Sequence, residues 1–392
     1  MIWKTRQYPA VCQVSCKRYC IVKTNEKIAI IRLIRTQNIG PVTLTMLLRR
    51  YKTSLAVLDQ LPEISKRSRI KLNITSQAEA EDEMAAAEKI GAQVIVRGED
   101  TYPKSLAMFD DAPGCLTCLG HLHLLQKPAL SVVGSRNASL NALNLTKLLC
   151  GEVGKAGYVI VSGMARGIDA AAHEGSIASG SIAVLAGGVD QVYPRENARI
   201  YESLKDQGIL ISEMPTGLQP FAKHFPIRNR IIASLGLGLL VVEAGLKSGS
   251  LITAREAADR GRDVMAIPGS PLDPRSKGCN NLLRDGAVLV QDSQDILEHI
   301  DDKEWKTTPP PLPLFDEEKP ADPNRDEVEK AKQELLNLLS FDASSVDELI
   351  KQCHFSIPVI SMALFEMELA GDIIRHYGNR VSLLWKPETP NA

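Results

Sequence analysis

Long apolar runs are missing from this 392-residue chain. None reaches the roughly 18–20 residues that a membrane span requires, and the N-terminus lacks the continuous apolar core of a secretory signal. No membrane association is expected, and the cytoplasm is the expected compartment. Charge of one sign is missing too. With 46 basic and 47 acidic side chains the net charge is −1, which excludes binding to a polyanion through bulk charge; any basic surface has to be local. Common catalytic signatures are absent. Gly236-Leu-Gly238 precedes its apolar run rather than following it, so no GxGxxG is formed. Gly163-x-x-x-Gly167 leads to Ile168 with no lysine, so no Walker loop exists. GxSxG and HExxH are not found either. These absences argue against a dinucleotide, a hydrolysable triphosphate and the usual hydrolases, and no cofactor is expected.

Cysteine is present, but its spacing is poor for metal. Cys115 and Cys118 form a single CxxC near His121 and His123, with no second CxxC to complete a zinc ribbon. The alternation in CLTCLG reads as a short strand, so structural thiols are expected and no metal site.

What the chain does have is a repeated strand–loop–helix alternation. Residues 1–24 hold five Lys/Arg, three Cys and no acid, and read as a disordered leader. Residues 25–75 carry helical periodicity broken by Asn38-Ile39-Gly40-Pro41, a turn with proline at a helix start, similar to helix-hairpin-helix or sterile-alpha-motif-like domains. From 76 to 300 short apolar runs alternate with helices: 93–97, 129–133, 158–161, 182–185, 209–212, 239–242, 264–267 and 287–290. That order predicts an α/β fold with a doubly wound, mostly parallel, extended Rossmann-like sheet. The 301–326 stretch is acidic and rich in proline, as a semi-extended linker is. Residues 327–388 read as three helices and a hairpin, a winged helix. Its third helix, in SIPVISMALFEMELAG, holds no Lys or Arg to meet phosphates, which points to protein contact or regulation rather than duplex reading.

Glycines cluster where the strands of the central domain end, and ligands bind outside the carboxyl ends of such strands. Arginines stand among them. Gly134-Ser135-Arg136 ends one strand; Ser162-Gly163 and Arg166 end the next. Lys223, His224, Phe225, Arg228, Asn229 and Arg230 form a compact basic and aromatic segment, read as containing a proline turn at Pro226. Lys247, Ser248, Gly249 and Ser250 precede a helix, where unpaired N–H groups and hydroxyls suit an anion. Guanidinium forks match phosphate oxygens, and Phe225 or His224 can stack on a base. The expected ligand is single-stranded nucleic acid, with Arg136 and Arg230 as leading phosphate contacts.

Long consecutive segments carry a resemblance: GSR (134–136), SGMARGIDAAAH (162–173), LAGGVDQVYPREN (185–197), HFPIRNRIIA (224–233), VVEAGLKSGSLITAREAADRGRDVMAIPG (241–269) and KGCNNLLRDGA (277–287). They are similar to the DNA processing protein A (DprA/Smf) family. The resemblance implies a non-enzymatic single-stranded DNA-binding protein that forms a homodimer and loads RecA recombinase in natural transformation and recombination. It places the binding pocket on Arg136, Ser162, Gly163, Arg166 and the Lys223–Arg230 segment. One enzymatic alternative remains. Rossmann-like nucleoside-monophosphate phosphoribohydrolases use a Gly-Gly turn and a glutamate near a Gly/Thr helix start, for which Gly187-Gly188, Glu243 and Ser250–Thr253 are the candidates.

Overall fold

The computed structural model describes residues 24–67, 72–301, 324–376 and 379–384. The basic leader up to residue 23 and linker residues 302–323 lie outside the described residues. Helices α1 (Thr24–Arg35), α2 (Pro41–Tyr51) and α3 (Ser54–Arg67) open the chain. Proline at the start of α2 leaves an N–H vacant where no intrahelical partner exists. Helix α4 (Gln77–Lys89) starts on a capping box: Ser76 accepts from the Glu79 N–H and the Glu79 carboxylate accepts from Ser76.

A nine-stranded sheet follows, built from β1 (Gln93–Val96), β2 (Cys115–Gly120), β3 (Ala129–Gly134), β4 (Val159–Ser162), β5 (Ser181–Val184), β6 (Ile209–Ser212), β7 (Gly238–Val242), β8 (Asp263–Ala266) and β9 (Val288–Leu289). Its helices are the short α5 (Lys104–Ala107), then α6 (Leu140–Lys155), α7 (Ile168–Ser176), α8 (Ala198–Gln207), α9 (His224–Leu235), α10 (Gly249–Asp259), α11 (Lys277–Arg284) and α12 (Ser293–Asp301). The spatial order is β1-β2-β6-β5-β4-β3-β7-β8-β9. Strands β3 to β9 run parallel, while β2 is antiparallel to both β1 and β6. Strand order reverses at the β3/β7 junction, where a doubly wound sheet opens a crevice.

The central strands are buried on both faces, as their unbroken apolar runs require. Val133, Val161, Leu239 and Val241 point to the side of α9 and α10; Leu130, Val132, Ile160, Leu240 and Val242 point to the side of α6, α7 and α12. The N-terminal helices are not a separate bead. Ile28, Ile30 and Leu33 share one apolar cluster with Val94 and Val96 of β1 and with Leu204 of α8. Arg35 adds two bonds to Glu83, at 2.8 and 2.7 Å.

Helix α9 corrects the proline turn expected at Pro226. The helix starts at His224, so Pro226 falls within its first turn, where a missing N–H costs no intrahelical bond. The C-terminal module has α13 (Arg325–Leu338), β10 (Ser344–Ser345), α14 (Val346–Gln352), α15 (Ile357–Leu369), β11 (Ile373–His376) and β12 (Arg380–Leu383), with strand order β10-β12-β11. It is a winged helix.

Cys115 and Cys118 lie on β2, fully buried and unpaired, and among the described residues no cluster of His, Cys, Asp or Glu could hold a metal. Burial raises both thiols, Cys115 to about 12. Neither cysteine is expected to react with iodoacetamide at pH 8 in the folded protein, and both should react after unfolding. Mass spectrometry of the peptides decides it, and labelling of Cys115 in the native state would contradict the buried-thiol assignment.

Candidate nucleic-acid pocket

At the β3/β7 switch point the chain supplies its own anion. Glu243, with φ of 48°, accepts from the Ser139 N–H at 2.8 Å and the Ser139 hydroxyl at 2.5 Å. Ser139 is the N-cap of α6, so this carboxylate sits where the helix start favours negative charge. Across the loop, Ser248 caps α10, its hydroxyl accepting from the Ser250 N–H and lying 2.7 Å from the Ser250 hydroxyl. Lys247 and Gly249 are exposed beside it.

The open cavity lies one crevice over, above the ends of β3, β4 and β5. It measures about 490 Å³ and is lined by Arg136, Gly163, Ala165, Arg166, Tyr193, Pro194, Arg195, Glu196 and Phe225. Arg136, Arg166 and Arg195 are all exposed. Tyr193 and Phe225 stand with ring centroids 5.8 Å apart, tilted by 57°. The Arg136 guanidinium lies 5.6 Å from the Phe225 ring centre and that of Arg228 5.9 Å. Arg166 Nη1 is 3.9 Å from Glu196 Oε1, with both side chains more than half exposed. Such a pair is worth about 0–1 kcal/mol, so a phosphate can displace it.

Arg228 forms the floor rather than the rim. It is 5% exposed and donates to the Val184 carbonyl at 3.2 Å. Burial lowers its guanidinium to about 10, against the opposing pull of Asp169, and burial raises Asp169 against the pull of Arg228. Gly163 makes room for this pair: a Cβ there would lie 1.5 Å from Arg228 Nη1. Gly167, at φ of 78°, lets its loop close on the β3 loop, where a Cβ would meet the Ser135 carbonyl at 2.2 Å. Gly134 is equally tight, a Cβ falling 2.0 Å from the Val242 carbonyl.

The structure separates the sequence candidates. Arg136, Gly163, Arg166 and Phe225 line the cavity; Gly134, the last residue of β3, and Ser135 after it do not. Exposed Lys223 precedes α9, and half-buried Asn229 lies further along it. Four candidates are buried away from the open cavity. Ser162 is fully buried and donates to the Val132 carbonyl at 2.7 Å, tying two strands. His224 is buried against the edge of Phe221, its centroid 5.5 Å away, with its ring unavailable to a base. Arg228 is spent as described. Arg230, 3% exposed, pairs with Glu213 and donates to the Asp111 carbonyl, so burial removes it from the pocket.

The cavity also brings in Tyr193 and Arg195, which the sequence had not singled out. The signal was present: an aromatic, a proline and an arginine follow a strand, the composition singled out in the His224–Arg228 segment.

Fold and pocket together define a Rossmann-like domain with an arginine-and-aromatic cavity at its strand ends, flanked by a helical and a winged-helix module. Comparison makes the assignment specific. The chain belongs to the DNA recombination-mediator protein A family, whose model matches residues 93–301, more than half the chain. The DprA-like N-terminal HHH domain matches 24–86 and the DprA winged helix domain 319–379. It is 38% identical over 307 residues to Protein Smf of Escherichia coli, covering 77% of this chain and 80% of that one. To the DNA processing protein DprA of Streptococcus pneumoniae it is 45% identical over 206 residues, covering 52% and 72%. The X-ray structure of DprA from that species superposes with a TM-score of 0.59 at 32% identity, covering 70% of this chain and 98% of that one. A Helicobacter pylori DNA processing protein A structure, described for its single-stranded DNA binding mode, has a TM-score of 0.50 at 28% identity, covering 54% and 96%.

Two outcomes follow from the buried charges. Arg230→Ala should lower unfolding stability by about 3 kcal/mol, because Glu213 is left without its partner; urea unfolding measures it, and a loss under 1 kcal/mol would contradict the structural role. Glu256, 4% exposed and with neither oxygen hydrogen-bonded, is raised to about 7, since burial outweighs nearby Arg260 and Arg230. The folded carboxyl therefore keeps its proton to higher pH than an unfolded one near 4.5, and stability falls as pH rises from there through 7. The stability advantage of Glu256→Gln over the parent should grow by about 2–3 kcal/mol between pH 4 and pH 8.

Proposed function

We propose that this chain binds single-stranded DNA in the cavity between Arg136, Arg166, Arg195, Tyr193 and Phe225. The observation that carries the reading is the pairing of exposed guanidinium groups with two aromatic rings in one open crevice. The guanidiniums hold phosphates, each contact releasing counterions, and the rings stack on bases without reading them. A tilt of 57° at 5.8 Å leaves no slot for a base between the two rings, so stacking falls on an outer face of one of them. The relative described for its single-stranded DNA binding mode supports the ligand class.

The same reading makes the chain a binding protein without turnover. Glu243 does not stand free toward the cavity; both of its oxygens are held by Ser139. That weighs against the phosphoribohydrolase alternative, which needs this carboxylate beside a ribose. No helix among the described residues is long and apolar enough to cross a membrane. DNA processing in the cytoplasm, homodimer formation and delivery of the strand to RecA in transformation or recombination complete the proposal, and they rest on the family.

Fluorescence anisotropy of labelled oligothymidine across a salt series tests it. Arg136→Ala should weaken binding roughly tenfold and reduce the slope of log K against log salt by about 0.7. Tyr193→Ala should cost about 1–3 kcal/mol with the salt slope unchanged. Equal binding by the parent and both variants would sink this placement of the site.

A further inference from the structure

Helix α15, the third helix of the winged-helix module, is apolar except for Ser361, Glu366 and Glu368, and a helix of that composition buries more than one face. One side, including Ile360, Leu364 and Met367, packs into the module's own core. The other side belongs elsewhere. Phe365 and Leu369, one turn apart and 4% and 0% exposed, fall in the same apolar cluster as Ile39, Leu44 and Leu47 of the N-terminal helices. Met362 lies against both clusters.

Polar groups fix the register of this contact. The Glu368 carboxylate accepts from the Thr43 hydroxyl at 2.7 Å and from Arg375 Nε at 2.9 Å. Thr43 is wholly buried, and the Glu368 and Arg375 side chains are each 13% exposed. The amide of Asn38, at φ of 65°, donates to the Leu369 carbonyl at 3.0 Å. Glu366, by contrast, turns inward to Lys332 of the module's own first helix. Glu366 therefore serves the module itself, while Glu368 bridges Arg375 of the module to Thr43 of the N-terminal helices.

We propose that the winged-helix module is an intrachain clasp: α15 docks on the chain's own N-terminal helical domain, and the closed contact withholds both surfaces from duplex nucleic acid. A groove-reading helix needs exposed cations, and Ile357–Leu369 holds none. The side of α15 left by its own core is already filled by Ile39, Thr43 and Asn38. Closing the clasp also shields the Asn38–Pro41 turn at the start of α2, where a Cβ on Gly40 would come to 3.9 Å from Glu368 Oε1.

The test uses the full chain with a protease site inserted within residues 302–323. After cleavage the winged-helix fragment should stay with the remainder through size-exclusion chromatography at micromolar concentration. Glu368→Lys, which sets a cation against Arg375, should weaken retention by roughly tenfold or more, and Thr43→Val by a few-fold. Glu348→Lys, on an exposed position of α14, should retain it as the parent does. Circular dichroism of the separated fragments confirms that each is folded. Free separation of the parent fragments would overturn the clasp, as would unchanged retention by folded Glu368→Lys. Duplex DNA cross-linking to α15 in the uncut parent would overturn it as well.

Discussion

One buried guanidinium shapes the pocket. Arg228 is charged at neutral pH even after burial lowers it to about 10, so it needs an anion and an acceptor inside the protein. The Val184 carbonyl accepts from its Nη1, and the Asp169 carboxylate acts on it electrostatically from nearby. Asp169 accepts from the Ala165 N–H at 3.2 Å, so this buried carboxylate anchors the loop that displays Arg166. The same guanidinium backs the Phe225 ring. Arg228 is closed in by burial and by its bond to the Val184 carbonyl, whereas the exposed pair of Arg166 and Glu196 is worth only about 0–1 kcal/mol. The floor is therefore rigid and the rim adjustable, a suitable division for a cavity that meets a flexible polyanion.

The glycines of the pocket follow from that arrangement. Gly163 is required because a side chain would occupy the space of Arg228, and Gly167 because its loop closes on the Ser135 carbonyl at a positive φ. They are packing constraints first, and they bring Arg136 and Arg166 to one crevice as a consequence. The neighbouring switch point between β3 and β7, where an anion is expected in such folds, is filled by the chain's own Glu243.

A similar economy runs through the end domains. The N-terminal helices share apolar surface with the edge of the sheet, and α15 shares it with the N-terminal helices. Three modules that are separate along the chain are joined by continuous hydrophobic burial, reinforced by few but well-placed polar bonds. Arg35 on Glu83 and Glu368 on Thr43 set the geometry; the buried apolar side chains supply most of the stabilisation.

Much of the architecture was legible in the linear chain, because apolar runs between glycine-rich loops and the proline at Pro41 carry their meaning locally. The alternation identified the strands and helices of the sheet, and the Gly/Arg strand ends marked its functional edge. The antiparallel attachment of β1 and β2 and the place of Pro226 within α9 were not readable, since both depend on what packs against them. Among the site residues the limit is physical. Arg136, Arg166, Arg228 and Arg230 have one side-chain chemistry, and nothing in their spacing says which guanidinium faces water. Distant partners decided it: Glu213 and the Asp111 carbonyl draw Arg230 inward, Asp169 draws Arg228, and the chain brings Tyr193 and Arg195 across from another loop. Sequence determined which groups were available; tertiary burial, by making each unpaired charge too costly to leave alone, determined which of them remained on the surface.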